Sequence, residues 1–314
     1  VVTNVSDDHF GEYGIHDLAG LAAVKLTVAR AIDASGLLVL NADDEVLVAQ
    51  SASLRCPLGW FAMDDASPRL CAAREHGGAT CGVGDGRLWL SWRGVPYDLG
   101  DVDAMPLSFG GRAAYNIANM AAAALAAAAL GVDAETVAAT LRRFGSQRAD
   151  NPGRLQHWRF GSLQVYVDYA HNPEGLHGLL EIATAQRDDG RLALLLGQAG
   201  NREDAAIREL ARAAARFNPV RVLLKDIEGY MRGRAAGEVA AILREQLQHD
   251  GIRADAIIDC LDEVTAVRDL LAWARPGDVL VLPTTGVAAR RQIRDLLSAL
   301  QARHWQPGTP LPAG

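Results

Sequence analysis

Lysine is almost absent from this 314-residue chain: of 31 basic residues only Lys25 and Lys225 are lysines, and the rest are arginines. A Walker A phosphate loop needs a Gly-Lys-Ser or Gly-Lys-Thr step, and neither lysine follows a glycine, so these residues hold no such loop. A basic excess is missing too. The net charge of −7 argues against nucleic acid as a partner, because a phosphate-backbone binder carries the opposite balance. Long apolar runs are lacking as well: Met120 to Leu130 is alanine-dominated and about half the ~20 residues a bilayer span requires, so it reads as a packed helix and not as a membrane segment. Cysteines are few. Cys56, Cys71, Cys81 and Cys260 form no CxxC pair and have no histidine at zinc spacing, which fits the reduced thiols of a cytoplasmic protein. Neither an initiating methionine nor a signal-peptide pattern opens the chain; Val1-Val2-Thr3 reads as the end of a strand, and the expectation is a piece of a longer polypeptide.

What is there describes a globular α/β protein. A hydrophobic fraction of 49% with 22% charged residues excludes disordered and fibrous classes, and the length suits two domains. From Leu163 onward, strand-like runs (163–169, 191–196, 220–225, 256–259, 278–282) alternate with helix-period stretches (174–187, 203–217, 235–249, 262–274, 286–302). That alternation predicts a doubly wound, Rossmann-like domain with a mostly parallel sheet and ligands at the carboxyl ends of its strands. The first half is less regular. It predicts a helix over 17–34, strands at 37–40, 59–62, 79–83 and 87–92, and helices at 112–130 and 134–143. The breakers near 145–153 place the joint between domains 1–147 and 148–314, and the proline-bearing tail after Trp305 reads as loose.

The residues with chemical potential fall in loops after strands. Asn4-Val5-Ser6-Asp7-Asp8-His9 follows the first strand, and Lys25 lies 16 positions beyond His9. An imidazole with carboxylates suits a divalent cation; a lysine joins such a set only if CO₂ carbamoylates its amine, which requires a depressed pKa. The alternative is a turn-capping His9 and a solvated Lys25. In the second half, Asp168-Tyr169-Ala170-His171-Asn172-Pro173 ends a strand and opens a helix, where a carboxylate can accept ribose hydroxyls and the helix start favours anions. Asn-Pro is equally an ordinary helix-start signal. Gly153-Arg154 lies upstream of it.

Taken in order, NVSDDHFG (4–11), LAAVK (21–25), LNADD (40–44), GGRAAYNIAN (110–119), NPGR (151–154), DYAHNP (168–173), LGQAGNR (196–202) and PGDVLVL (276–282) resemble the Mur ligase family of ATP-dependent amide ligases. His9-Phe10-Gly11, the step from His9 to Lys25 and LKDIEGYMRGRAAGE (224–238) set the chain apart from the peptidoglycan branch, toward ligases that act on amino-acid polymers. The resemblance implies the later part of a central ATPase domain followed by the family's C-terminal domain. It also implies the chemistry: a carboxylate attacks the γ-phosphate of ATP, and an amine displaces phosphate from the acyl phosphate, with Mg²⁺ neutralising the transferring group.

By that resemblance His9 and a carbamoylated Lys25 are metal ligands with catalytic roles. Asn116 and Asn119 match the motif near the adenine, Arg154 and Asp168 the nucleotide-contacting pair, and His171 and Asn172 weaker nucleotide contacts. ATP would lie between the family's central and C-terminal domains, assembled by closure. The implied partners are an amino acid or amino-acid polymer as substrate, and an upstream ligase segment or a second copy of the chain; neither nucleic acid nor membrane is expected. Without a phosphate loop the 314 residues alone are expected to be inactive. A non-catalytic relic or interaction subunit with this fold, or a piece of a peptidoglycan-type or folylpolyglutamate-type ligase, is the alternative.

Overall fold

The computed structural model describes residues 1–6, 14–15, 17–185, 187 and 189–312. Its internal contacts divide the chain into two units, 1–150 and 151–314.

The first unit is built on a five-stranded mixed sheet. In chain order its elements are α1 (Leu18–Lys25), β1 (Leu38–Asn41), α2 (Glu45–Ser51), β2 (Leu58–Ala62), α3 (Pro68–Glu75), β3 (Ala79–Gly84), β4 (Arg87–Trp92), β5 (Val95–Asp101), α4 (Ala114–Ala129) and α5 (Ala134–Leu141). Strands β1, β2 and β3 run parallel, and β4 and β5 continue the sheet as an antiparallel meander. Val2 forms one parallel bridge to Leu40, so the opening residues do lie along β1. Strand alternation divides the core. Val39, Phe61, Cys81 and Leu90 face the alanine-rich α4, whereas Leu38, Leu40, Trp60 and Ala62 face α1, α2 and α3. The helix expected over 17–34 is shorter: α1 ends at Lys25 and the chain tightens into a 3₁₀ turn over Leu26–Ala31. Helices α2 and α3 and strand β5 were not predicted.

The second unit comprises β6 (Gln156–Phe160), β7 (Leu163–Asp168), α6 (Pro173–Ala185), β8 (Leu192–Leu196), α7 (Asp204–Ala215), β9 (Arg221–Leu224), α8 (Glu238–His249), β10 (Ile257–Asp259), α9 (Glu263–Trp273), β11 (Val279–Pro283) and α10 (Val287–Ala302). Sheet order is β10-β9-β8-β11-β7-β6; only β6 is antiparallel, and sequence reading missed it. One face, with Val165, Leu195, Leu223 and Leu280, is covered by α9 and α10. Helices α6, α7 and α8 pack in a row, with α6 on β11 and α8 on β9. Burial on both faces explains why β8 reads Leu-Ala-Leu-Leu-Leu without alternation.

The tail corrects an expectation, for it is tied down. Trp305 is buried edge-on against Phe160 with centroids 5.3 Å apart, its Nε1 donates to the Thr309 carbonyl, and Arg268 donates to the Pro312 carbonyl at 2.8 Å. Apolar anchoring by one indole outweighs the loosening effect of the prolines around it.

Candidate functional site

Strand β7 delivers Asp168 to the carboxyl edge of the second sheet, where it is 7% exposed. Its Oδ1 accepts the Ala170 N–H at 2.7 Å, an Asx turn that ends the strand, and its Oδ2 accepts the Leu155 N–H at 2.5 Å. Leu155 sits at φ 42°, a conformation costly for a side chain of its shape, and the bond to a buried carboxylate offsets that strain. Burial pushes the Asp168 carboxyl above the ordinary range, while the Leu155 and Ala170 N–H groups and the Arg154 guanidinium pull it down. A carboxylate has about four acceptor directions. Two are taken by backbone, and the others can accept hydroxyl donors.

Arg154 and Asp168 are brought together, with Arg154 lying over the Tyr169 ring at 4.7 Å. Arg290, from the first turn of α10, lies over the same ring at 5.1 Å. His171 and Asn172 follow directly. The His171 ring tilts against Tyr169, and its carbonyl accepts Gln198 Nε2 at 2.8 Å, tying DYAHNP to the loop after β8. Asn172 caps α6 through Oδ1, which accepts the Gly175 N–H at 2.8 Å.

Sequence reasoning missed the most buried charge in this unit. Lys225, directly after β9, is 1% exposed; its Nζ donates to Glu263 Oε1 at the start of α9 and, at 2.8 Å, to the Pro283 carbonyl that ends β11. Glycines make room for the pair. A Cβ at Gly197 would meet the Lys225 carbonyl at 2.6 Å, and one at Gly286 would meet Glu263 Oε2 at 2.6 Å. Burial pulls the Lys225 amine below its ordinary value, against the opposing pull of Glu263. Asp226 beside it accepts the Gly237 N–H through Oδ2 and leaves Oδ1 buried without a hydrogen bond. Arg234 then clamps two loops: it donates to the Gly200 and Arg202 carbonyls, to Asp204 and to Glu238. A lysine among three strand ends carries no sequence signal; the small residues opposite it, in LGQAGNR and PTTG, were the only trace.

In the first unit, Lys25 closes α1 and donates from Nζ to the Asn4 carbonyl at 3.0 Å, so the two segments LAAVK and NVS meet. His9 lies outside the described residues. Asp44 accepts the Val5 N–H at 2.6 Å and caps α2 through Leu47, and Asp43 accepts the Met63 N–H at 2.7 Å. The carboxylates of LNADD are therefore engaged by backbone, and among the described residues no three metal-ligating side chains cluster. Those described residues do not by themselves compose a magnesium donor set. Asn116 is buried and donates to the Leu107 carbonyl at 2.9 Å, a tie between α4 and the turn before it, while Asn119 is exposed.

Residues 153–285, within the second unit, match the family model described as Mur ligase, glutamate ligase domain. The chain belongs to the Mur ligase superfamily, whose members at family level are ATP-dependent amide ligases. Among curated proteins it is similar to cyanophycin synthetase of Synechocystis sp., 30% identical over 285 residues that cover 90% of this chain and 32% of that protein. The chain thus spans about a third of the length of the curated relatives it matches. Its fold is that of a murein peptide ligase from Psychrobacter arcticus (TM-score 0.63, 18% identity, 94% of this chain and 56% of that one) and of folylpolyglutamate synthase from Mycobacterium tuberculosis (TM-score 0.62, 20% identity, 94% and 62%). Among the described residues no helix is long and apolar enough to cross a membrane.

Proposed function

We propose that this chain is part of an ATP-dependent amide ligase of cyanophycin-synthetase type, acting on an amino acid or amino-acid polymer. In this reading residues 1–147 belong to a central ATPase domain and 148–314 to the ligase's C-terminal domain. The reaction joins two steps. A substrate carboxylate oxygen bonds to the γ-phosphorus of ATP as the bond to ADP breaks; an amine nitrogen then bonds to the acyl carbon, releasing inorganic phosphate and a proton. The observation that carries the reading is the convergence of NPGR and DYAHNP on a buried Asp168, whose oxygens retain acceptor capacity beside the Arg154 guanidinium. Asp168 takes the ribose hydroxyls and Arg154 the phosphates. His171 holds the loop, and Asn172 sets the helix start that faces the anion. Asn119, exposed on α4, is the better of the two asparagines for the base, since Asn116 is committed to Leu107. His9 and Lys25 are assigned to magnesium, whose contribution when bound is charge neutralisation at the phosphoryl group.

These 314 residues hold no Gly-Lys-Ser or Gly-Lys-Thr step, so the chain alone is expected to bind ATP weakly and not turn it over. Titration calorimetry with ATP on the wild type, Asp168→Asn and Arg154→Gln tests this, alongside a phosphate-release assay. Each variant should weaken binding about tenfold. Unchanged affinity in both would favour a non-catalytic subunit, and robust turnover by the wild-type chain would overturn the account of the missing loop.

A further inference from the structure

Helix α10 begins with an arrangement that local electrostatics opposes. Helices α6, α7, α8 and α9 each carry an acidic residue in the first turn, whereas α10 opens Val-Ala-Ala-Arg-Arg, with no acid and no side-chain cap. Cations at a helix N-terminus lie at the positive end of the dipole, an unfavourable placement. That start alone identifies nothing. The Arg290 side chain, however, is drawn onto the Tyr169 ring that Arg154 also covers, so three separate elements converge: the loop before β6, the end of β7 and the start of α10. Both guanidinium carbons lie within about 5 Å of one ring centroid. Gly153 is part of the fit, since a Cβ there would meet Arg290 Cδ at 2.6 Å and its Nη1 at 3.0 Å.

Neither guanidinium is hydrogen-bonded to a carboxylate among the described residues, although the Arg154 charge acts on Asp168. Among the described residues neither Arg154 nor Arg290 donates a hydrogen bond or forms an ion pair, whereas Arg191 is paired with Asp278, Arg208 with Glu245, Arg234 with Asp204 and Arg244 with Asp259. Asp168 accepts the Leu155 and Ala170 N–H groups and no hydrogen bond from either guanidinium. A tyrosine face attracts a cation but does not neutralise it. Two guanidinium forks held over one ring, neither bonded to a carboxylate, fit an oxyanion, since planar guanidinium groups recognise phosphate bidentately.

We propose that Arg290 is a second phosphate-binding residue of the nucleotide site, acting with Arg154 across Tyr169 on the phosphate chain. The inference rests on the nucleotide reading above and adds to it a residue from α10. Tyr169 holds both guanidinium groups near one ring before the anion arrives, which reduces the ordering cost of binding.

The test uses the full 314-residue chain with inorganic tripolyphosphate, ATP, adenosine and poly-aspartate as separate probes. Affinity comes from calorimetry, and amide chemical shifts of residues 153–170 detect binding in the millimolar range. Arg290→Gln should weaken tripolyphosphate and ATP about tenfold, flatten the salt dependence and leave adenosine untouched. Arg290→Lys should recover only part of the loss. If Arg290→Gln leaves tripolyphosphate affinity unchanged while Arg154→Gln lowers it, the proposal fails and the nucleotide reading stands. If tripolyphosphate moves no amide in 153–170, both fail. Binding of poly-aspartate without tripolyphosphate would assign the arginines to a carboxylate substrate and overturn the phosphate assignment. Circular dichroism of Arg290→Gln controls for folding, with Tyr169→Phe, which keeps the ring, expected to bind as the wild type does.

Discussion

Replacing Lys225 with methionine should be among the most damaging single changes available to the second unit. The Lys225 and Glu263 side chains are 1% and 4% exposed, so removing the ammonium leaves a carboxylate in the interior with its cation gone. An uncompensated buried charge of this kind costs about 3–5 kcal/mol. Glu263→Leu should cost a similar amount, because the Lys225 ammonium would keep only the Pro283 carbonyl as a partner. The double variant removes both charges and leaves one orphaned carbonyl, a penalty of about 1–3 kcal/mol, and should therefore be more stable than either single. The pH dependence carries a sign. Burial already lowers the Lys225 amine below its ordinary 10.5, and removing Glu263 lowers it further. Between that depressed folded value and 10.5 the unfolded chain binds the extra proton, so the stability of Glu263→Leu should rise with pH toward 10.5. Native-state hydrogen exchange on the amides of β9 and β11 reads this unit separately from the first. A cost below about 1 kcal/mol for Lys225→Met, or a double variant no better than the worse single, would refute the reasoning.

Two further expectations concern Asp278 and Lys25. Burial works to raise the Asp278 carboxyl, but Arg191, stacked on Trp273 at 3.8 Å, and the Arg275 and Arg191 N–H groups hold it below the ordinary 3.8. Its contribution is present above 3.8 and lost as pH falls through the lower folded value, so urea titrations should give Asp278→Asn a flatter acid limb than wild type; an identical limb would remove this role. For Lys25, ¹³C-bicarbonate should yield a carbamate resonance that disappears in Lys25→Arg, since a guanidinium stays protonated. A spectrum without that resonance returns Lys25 to its hydrogen bond with Asn4.

Legibility in the sequence followed burial. Strands β8 and β11 announced themselves as unbroken apolar runs because helices cover both faces, whereas β6 was lost: in Gln-His-Trp-Arg-Phe only Trp158 and Phe160 face the α9 and α10 layer, and three polar residues break the run. Strand β5 carries Pro96 and Gly100 at the sheet edge and reads as a turn. Helices α2 and α3 are about two turns each, and α3, with Arg69, Arg74 and Glu75, buries only Leu70, so little hydrophobic period registers. Asp168 was legible as a candidate because a carboxylate at a strand end before Asn-Pro is unusual chemistry in a recognisable place. Arg290 and Arg234 were not, since in a chain whose basic residues are nearly all arginine no single one stands out until its neighbours are known. Asn116, a nucleotide-ligand candidate in the sequence, donates its amide nitrogen to the Leu107 carbonyl nine residues away.

The strand order of the second unit also constrains how it can be made. Strand β11 lies between β7 and β8, which do not pair with each other, so the hydrogen bonds that join the two halves of the sheet belong to the last strand synthesised. While β11 is still in the ribosome, β7 with β6 and β8 with β9 and β10 have open inner edges and the apolar faces that go with them. Such edges are the surfaces on which nascent chains mispair or are held by chaperones. The Lys225 ammonium waits on the same event, because Pro283 is the residue that ends β11. Vectorial synthesis therefore leaves the two halves of this sheet unjoined until β11 is made.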